Sequence, residues 1–536
     1  MKIKAFDDAD VIVVGAGLGG SAAAVHLAEC GLNVLVLDAG PEPAAAEAAR
    51  PRTRLRRLLS RIGHKIGLSR PDPSYVSYFT RSSDGHGTAK PVLVRHGRGP
   101  GGSSALYAAA LSRFRRVDFT RSKPGTAANP ALPNDWPINY DEFANYYRCA
   151  EAMMGVRGHS DPADPDDLAQ LLPPPPLGPE ALVIHDALTA NGLKPFRLHV
   201  AIDYHAGCAE CFGYRCQSAC KSDAYNHALR QAVESGLLRL RTDATIDRIE
   251  VDARGVRLRL AGTGDVLRAS RLVLAAGALN TPLLLERSED LWRETGRPAM
   301  LSRGLMFHLS EAFTVRTPVD ATVVPRKWLC LRDFYDEGKI SIGEIQSTGA
   351  TVSTGAIMHV LRMRAVKRIS RTLMPLVEFL RPAAWTAARL IGPLAIYATI
   401  TEDLPHPQNM VREEGNRIVA CYTPDPDLVA ISTAKRAQIR AAFAPLPVRF
   451  LSEPGTPNWG HPMGTCRMGT DPATSVVDAD GRLHGHPMIS VADASAFPSS
   501  GGTGPSLTVI AHALRVASVI ASEIGEFAEE EQRIAG

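Results

Sequence analysis

The sequence carries no excess charge of one sign: 60 lysines and arginines face 56 aspartates and glutamates, a net charge of +4 over 536 residues. That balance gives no broad electrostatic footprint for nucleic acid, which is therefore not an expected partner. No apolar run reaches the ~18 residues of a membrane span. The most hydrophobic region, 374–400, is broken by Glu378, Arg381 and Arg389, by three prolines and by Gly392. No apolar segment or twin-arginine pair precedes the first strand-like run, so a secretory signal is not expected and a cytoplasmic location is. Nine cysteines are too few to scaffold so long a chain, and no internal repeat is visible. What is there, 45% hydrophobic residues with 22% charged, suits a folded protein with more than one core.

The first chemistry-bearing signal lies near the amino terminus. The β-branched run Val11–Val14 is followed by Gly15, Gly17 and Gly20 in GxGxxG spacing, then by an alanine-rich stretch to Cys30 that Gly31 stops. This order predicts strand, tight turn and helix. Gly15 permits the turn, Gly17 lets backbone approach a pyrophosphate, and Gly20 allows close helix packing, while the helix amino terminus offers N–H groups to the anion. A second strand, Val34–Leu37, ends on Asp38, about 20 residues on, where a carboxylate can accept from ribose hydroxyls. Residues 245–251 and 256–260 predict a hairpin about the turn 252–255. It leads into a buried strand, 271–274, that ends on Ala275, Ala276 and Gly277, small enough to lie against a flat cofactor.

Residues 161–179 form a proline-rich surface loop. Residues 52–61 and 361–371 alternate bases with apolar residues, and the second stretch directly precedes the apolar region. They point to surface helices and to peripheral contact with a membrane or a lipophilic substrate.

Several distant segments together carry a resemblance. Besides the glycine turn they are Gly97 to Ser104, Gly277 to Leu284, Gly304 to His308, Glu402 to Pro405, His461 to Gly469, and Val491 to Ser495; only about 310–450 is poorly matched. In this set the chain resembles the glucose-methanol-choline (GMC) oxidoreductases, flavoproteins of a bacterial dehydrogenase-like branch that oxidise alcohols with FAD. The resemblance implies an α/β fold with a Rossmann-like FAD-binding domain, from 1–130, 221–305 and 455–536, and a substrate domain on an antiparallel sheet, from 131–220 and 306–454. It implies FAD held by Gly15, Gly17, Gly20, Asp38, Arg98, Gly101, Gly102, Ser103, Ser104, the backbone of Ile246, Gly277, Asp493 and Pro505. It implies His461 as the catalytic base, since alcohol oxidation needs a group to take the hydroxyl proton. Its partners would be a small-molecule alcohol, hydrophobic or aromatic given the apolar middle region, and an electron-acceptor protein. The flavin is expected to be non-covalent, because no histidine lies between Gly101 and Tyr107.

Two positions depart from the family pattern. Tyr107 stands where asparagine is usual, and the second catalytic position, normally His or Asn before a proline, falls on Gly504. Asn458, Thr503 or Ser506 could occupy that space. Otherwise the chemistry is atypical, of lyase or cyclase type, or the chain is a non-catalytic flavin-binding subunit. The cluster Cys208, Cys211, Cys216 and Cys220 stays open between an iron–sulfur cluster, zinc, a disulfide and packed thiols.

Overall fold

The computed structural model describes residues 8–535 apart from 43–74, 77, 93–95, 121–131, 165–168, 170, 207, 209, 214, 217, 320–323, 336–342, 369–370 and 393. The basic stretch 52–61 lies outside the described residues.

The β-branched run becomes the central strand of a parallel sheet. Strand Asp8–Val14 pairs with Val34–Leu37 on one side and Val266–Leu274 on the other, and the sheet continues to Arg239–Arg241 and His486–Val491. Both faces are covered, so these strands read as continuous apolar runs rather than alternating ones. The register aligns Val14 with Leu37 and Leu274, and Leu274 with Val491. Four loops therefore leave one carboxyl edge side by side: the glycine turn, Asp38–Gly40, Ala275–Gly277 and Ala492–Asp493. Ligands of open α/β sheets bind at this edge.

Helix Leu18–Glu29 follows the glycine turn as expected and packs against the last helix, Ser506–Ala535. Gly20 is required there, because a Cβ would lie 1.8 Å from Gly15 O. The expected hairpin forms from Ile246–Asp252 and Gly255–Leu260 and pairs antiparallel with Val266–Leu274. Within the last helix, Ser506–Gly525 is long and apolar enough to cross a membrane, yet 61% of its most apolar window is buried inside the molecule. It is a core helix.

A second, six-stranded sheet is antiparallel throughout, in the order Val448–Phe450, Ala312–Val315, Ala395–Ile400, Glu344–Thr351, Leu329–Leu331, Phe196–Arg197. It has its own core around Phe313, Trp328 and Tyr397. The apolar region 374–400 is not one element. It divides into a 3-10 segment, Arg371–Leu380, a helix, Arg381–Ile391, and the strand Ala395–Ile400. Between the two sheets a short ribbon, Met306–Leu309 with Pro457–Met463, pairs His308 with Asn458 and shifts register before Met306 meets Met463.

Candidate active site

The carboxyl edge is built to receive a dinucleotide. Gly15 turns at a φ of +104°, and a Cβ there would lie 2.4 Å from Ala275 O, so only glycine fits. Gly17 caps helix Leu18–Glu29 without a capping side chain, no acidic residue occupies the first turn, and a Cβ at Gly17 would meet nothing within 4 Å. Uncapped N–H groups facing open space are what an anion at a helix amino terminus requires.

Gly101 N donates to Ala16 O at 2.8 Å, and Gly102 sits against Gly17, where a Cβ would come within 3.0 Å of its Cα. The Gly101–Ser104 segment is thus folded directly onto the glycine turn. Asp38 accepts from Ala16 N and Gly40 N, both at 2.8 Å, and burial raises its carboxyl above the ordinary value against those backbone bonds. Asp243 N and Ala244 N reach Gly40 O and Asp38 O, bringing the start of strand Ile246–Asp252 to the same edge. Open space also surrounds the Cβ position of Gly277. These residues fit FAD.

Other expected site residues also make contacts within the protein. Ser104 Oγ donates to Gly101 O at 2.6 Å and accepts from Ala224 N at 3.0 Å. Asp493 accepts from Gly277 N, Thr281 Oγ1 and Ser495 N at 2.6–2.8 Å, tying two loops of the edge together. Arg98 reaches Ala39 O at 2.8 Å, Ser103 is exposed, and Pro505 opens the last helix by accepting from Val509 N. Tyr107 OH donates to Ser222 O at 2.7 Å, so this departure is absorbed as a packing contact.

The ribbon brings two histidines together. His461 Nδ1 and His308 Nδ1 are 2.9 Å apart, and His308 Nε2 lies 2.9 Å from Ser500 O and 3.2 Å from Gly501 O. Carbonyls only accept, so His308 carries its proton on Nε2 and, being neutral, accepts at Nδ1. His461 must then donate from Nδ1, which leaves the lone pair on Nε2, and no partner among the described residues takes it. Burial, then His308 and His96, lower the His461 pKa to about 3; burial lowers His308 to about 4. Both are neutral at pH 7.

Of the three side chains considered for the space left by Gly504, the structure brings only Asn458 to His461, its amide nitrogen 3.4 Å from Nδ1. Thr503 Oγ1 donates to buried Glu344 at 2.9 Å, which Arg332 also holds at 2.9 Å. Around Gly504 itself a Cβ would meet nothing within 4 Å.

His308 lies in one of the segments that carry the family resemblance, yet nothing local in the sequence gives it a site role. The signal was a lone histidine in a four-residue apolar strand. Its strand is fastened by buried Asp403, which accepts from Phe307 N at 2.8 Å and Tyr422 OH at 2.7 Å and whose pKa burial raises to about 7.

The cysteine loop packs against residues 105–107: Gly213 N donates to Leu106 O at 2.8 Å, and Lys221 Nζ reaches Ala105 O and Tyr107 O. Cys216 Sγ and Cys220 Sγ are 3.9 Å apart and the cysteines are free thiols. Burial, then Cys208 and Cys216, push Cys220 up to about 12, and Lys221 Nζ is spent on the carbonyls of Ala105, Tyr107 and Cys211. Among the described residues no group of three or more His, Cys, Asp or Glu is arranged to hold a metal ion. Cys208, Cys211, Cys216 and Cys220 stand as free thiols, and the structure lends no support to the iron–sulfur or zinc readings.

Comparison with known proteins places this geometry. The amino- and carboxy-terminal family models of the GMC oxidoreductases match residues 9–289 and 427–513. Paromamine 6'-oxidase of Streptomyces fradiae is 28% identical over 96% of this chain and 92% of its own length. Cholesterol oxidase of Mycobacterium tuberculosis is 24% identical over 96% and 91%. Among solved structures, pyridoxine 4-oxidase from Mesorbium loti superposes with a TM-score of 0.59 at 22% identity, covering 95% of this chain and 98% of the other.

Proposed function

The chain belongs to the GMC oxidoreductases, and from that premise we propose that it oxidises an alcohol carbon to a carbonyl, with His461 Nε2 taking the hydroxyl proton. One observation carries the assignment: the chain of hydrogen bonds from Ser500 and Gly501 through His308 leaves His461 Nε2 unprotonated and unpartnered. FAD, held along the carboxyl edge by the Gly15–Gly20 turn, Gly101–Gly102 and Asp38, supplies the hydride acceptor. As the O–H proton passes to Nε2, the C–H bond breaks with its electron pair and the C=O bond forms. The neutral, desolvated His461 accepts the proton, and His308 holds the ring in the accepting tautomer. Membership of this enzyme family and an intact base favour oxidation over a lyase or a non-catalytic subunit.

A hydrophobic or aromatic alcohol is the proposed substrate class, supported by the apolar composition of residues 374–400. A panel of benzylic, long-chain, sterol and amino-sugar alcohols, scored by anaerobic flavin bleaching, tests it. Bleaching by the amino sugars alone would refute the apolar class. The flavin is proposed to be non-covalent and the final acceptor an electron-transfer protein. Acid precipitation should leave flavin in the supernatant, and turnover should be faster with an artificial one-electron acceptor than with dioxygen. His461→Ala should keep FAD and lose flavin reduction by roughly 10²- to 10⁴-fold; an unchanged rate would remove His461 from the chemistry.

A further inference from the structure

Five of the ten large apolar side chains exposed among the described residues, Leu376, Phe379, Leu380, Trp385 and Leu390, fall within fifteen residues of one another, with Phe379 79% and Leu390 82% exposed. They sit on an excursion that leaves the substrate sheet after strand Glu344–Thr351 and returns at strand Ala395–Ile400: helix Thr354–Arg368, the 3-10 segment Arg371–Leu380 and helix Arg381–Ile391. The excursion has a small core of its own, Met358, Val377 and Ala384 with Ile357, Leu361 and Ala365 against it, separate from the sheet cores. Its inner face is therefore satisfied, and the exposed side chains are surplus to folding. Exposed large apolar side chains that folding does not use, concentrated in one short segment, mark a binding face.

Charge identifies the occupant. Residues 354–391 contain seven lysines and arginines and a single acid, Glu378, whereas the rest of the chain has a slight excess of acids. Glu378 is itself held by Arg362 at 2.7 Å and by Arg381. Arg389 lies over the Trp385 ring at 4.2 Å, so a cation and an aromatic ring share the exposed face. Large apolar and aromatic side chains on a segment with a local cationic excess match the interface of an anionic bilayer: the rings and leucines enter the headgroup boundary while Arg389 meets phosphates. We propose that the 354–391 excursion docks this protein peripherally on membranes rich in anionic lipid. The proposal does not depend on the oxidation chemistry.

The test uses flavin-loaded full-length protein and sedimentation with vesicles of phosphatidylcholine and phosphatidylglycerol at roughly 3:1, against phosphatidylcholine alone. Binding to the anionic vesicles is expected, weakened as salt rises from about 50 to 500 mM. Phe379→Asp with Leu390→Asp should lower the bound fraction at least about tenfold, since two anchors become anions, with flavin content and melting temperature retained. Arg389→Glu, which leaves the apolar anchors in place, should weaken binding at low salt alone. No partition of the wild type, or partition of the double variant at the wild-type level, overturns the proposal. So does a wild-type dimer that the double variant converts to monomer without any lipid binding, which would assign the face to a second copy of the chain.

Discussion

His308 and His461 meet through their Nδ1 atoms at 2.9 Å, from strands whose residues stand 153 positions apart in the chain. The contact sets the direction of the proton: His308 can only accept, because Ser500 O and Gly501 O occupy its Nε2–H. Without that acceptor the His461 proton can move to Nε2, the nitrogen the substrate needs unprotonated.

His308 is accordingly a positioning residue. His308→Ala should retain flavin and lower the flavin reduction rate by at least about tenfold, with little change in substrate KM, as expected when a base is mis-set rather than a binding contact removed. His308→Gln, whose amide can donate to the two carbonyls and accept from His461, should recover part of the rate. Equal loss in both variants would indicate a packing role only.

The same burial gives a pH signature. With a folded-state pKa of about 3, His461 stays neutral in mild acid, so kcat/KM should stay level as pH falls through 6.5, where an ordinary histidine protonates. An acid limb centred near 6.5 in rapid-mixing flavin reduction would place another group in the mechanism.

Stability should follow the opposite course. His96 and His308 are lowered to about 4, and His461 and His512 to about 3, chiefly by burial. Below pH 6.5 the unfolded chain takes up protons that these folded histidines refuse, so stability falls as pH drops from 6.5 towards 4. Asp403, raised to about 7, works against this loss, because the folded carboxyl binds a proton before the unfolded one does. His512 lies outside the site, bonded to Val491 O. His512→Gln should therefore flatten the slope by up to about 1.4 kcal/mol per pH unit, read as melting temperature at pH 7, 6 and 5. An unaltered slope would mean that His512 already titrates normally.

Local signals were legible in the sequence, and long-range ones were not. Gly15, Gly17 and Gly20 declare their turn because backbone geometry and one neighbouring helix decide it, and the hairpin about 252–255 is fixed by its own alternation and turn. The contact of His308 with His461 depends on an antiparallel ribbon with a register shift, which no local pattern announces. Thr503 looked available next to Gly504 until the fold directed its hydroxyl to Glu344. The four cysteines were visible as a cluster, but how their thiols sit relative to one another is set by the fold and not by their spacing. The basic and apolar residues of 361–391 were visible as composition, yet only packing on Met358, Val377 and Ala384 shows which side chains are left outside.

Gly17 separates folding from cofactor binding. Its φ is −81° and a Cβ would meet nothing within 4 Å, so alanine fits the apoprotein. The same methyl group would stand where backbone must approach the pyrophosphate. Gly17→Ala should yield folded protein with markedly lower flavin content, measured as the ratio of visible to ultraviolet absorbance, and a smaller thermal shift on adding FAD. Full flavin loading would move the phosphate away from this turn.

Gly504 is the last point at which the structure commits. Its φ lies outside the left-handed region and nothing stands within 4 Å of its Cβ position, so no backbone strain or clash opposes a side chain. Asn458 lies 3.4 Å from His461 Nδ1 and not within 4 Å of this Cβ position, and the Thr503 hydroxyl is bound to Glu344. Gly504→Asn should therefore fold, retain FAD and melt within a few degrees of the wild type, since a tolerated substitution of this kind changes stability by about 0.5 kcal/mol or less. Its effect should appear in the substrate. If the substrate fills the opening with its own bulk, KM should rise several-fold for large alcohols and little for small ones, while the reduction rate at saturation stays within about threefold because His461 and His308 are untouched. Loss of flavin or of folding in Gly504→Asn would show that the volume is occupied in the working enzyme, and a uniform fall in rate for all alcohols would show that the new amide disturbs His461 itself.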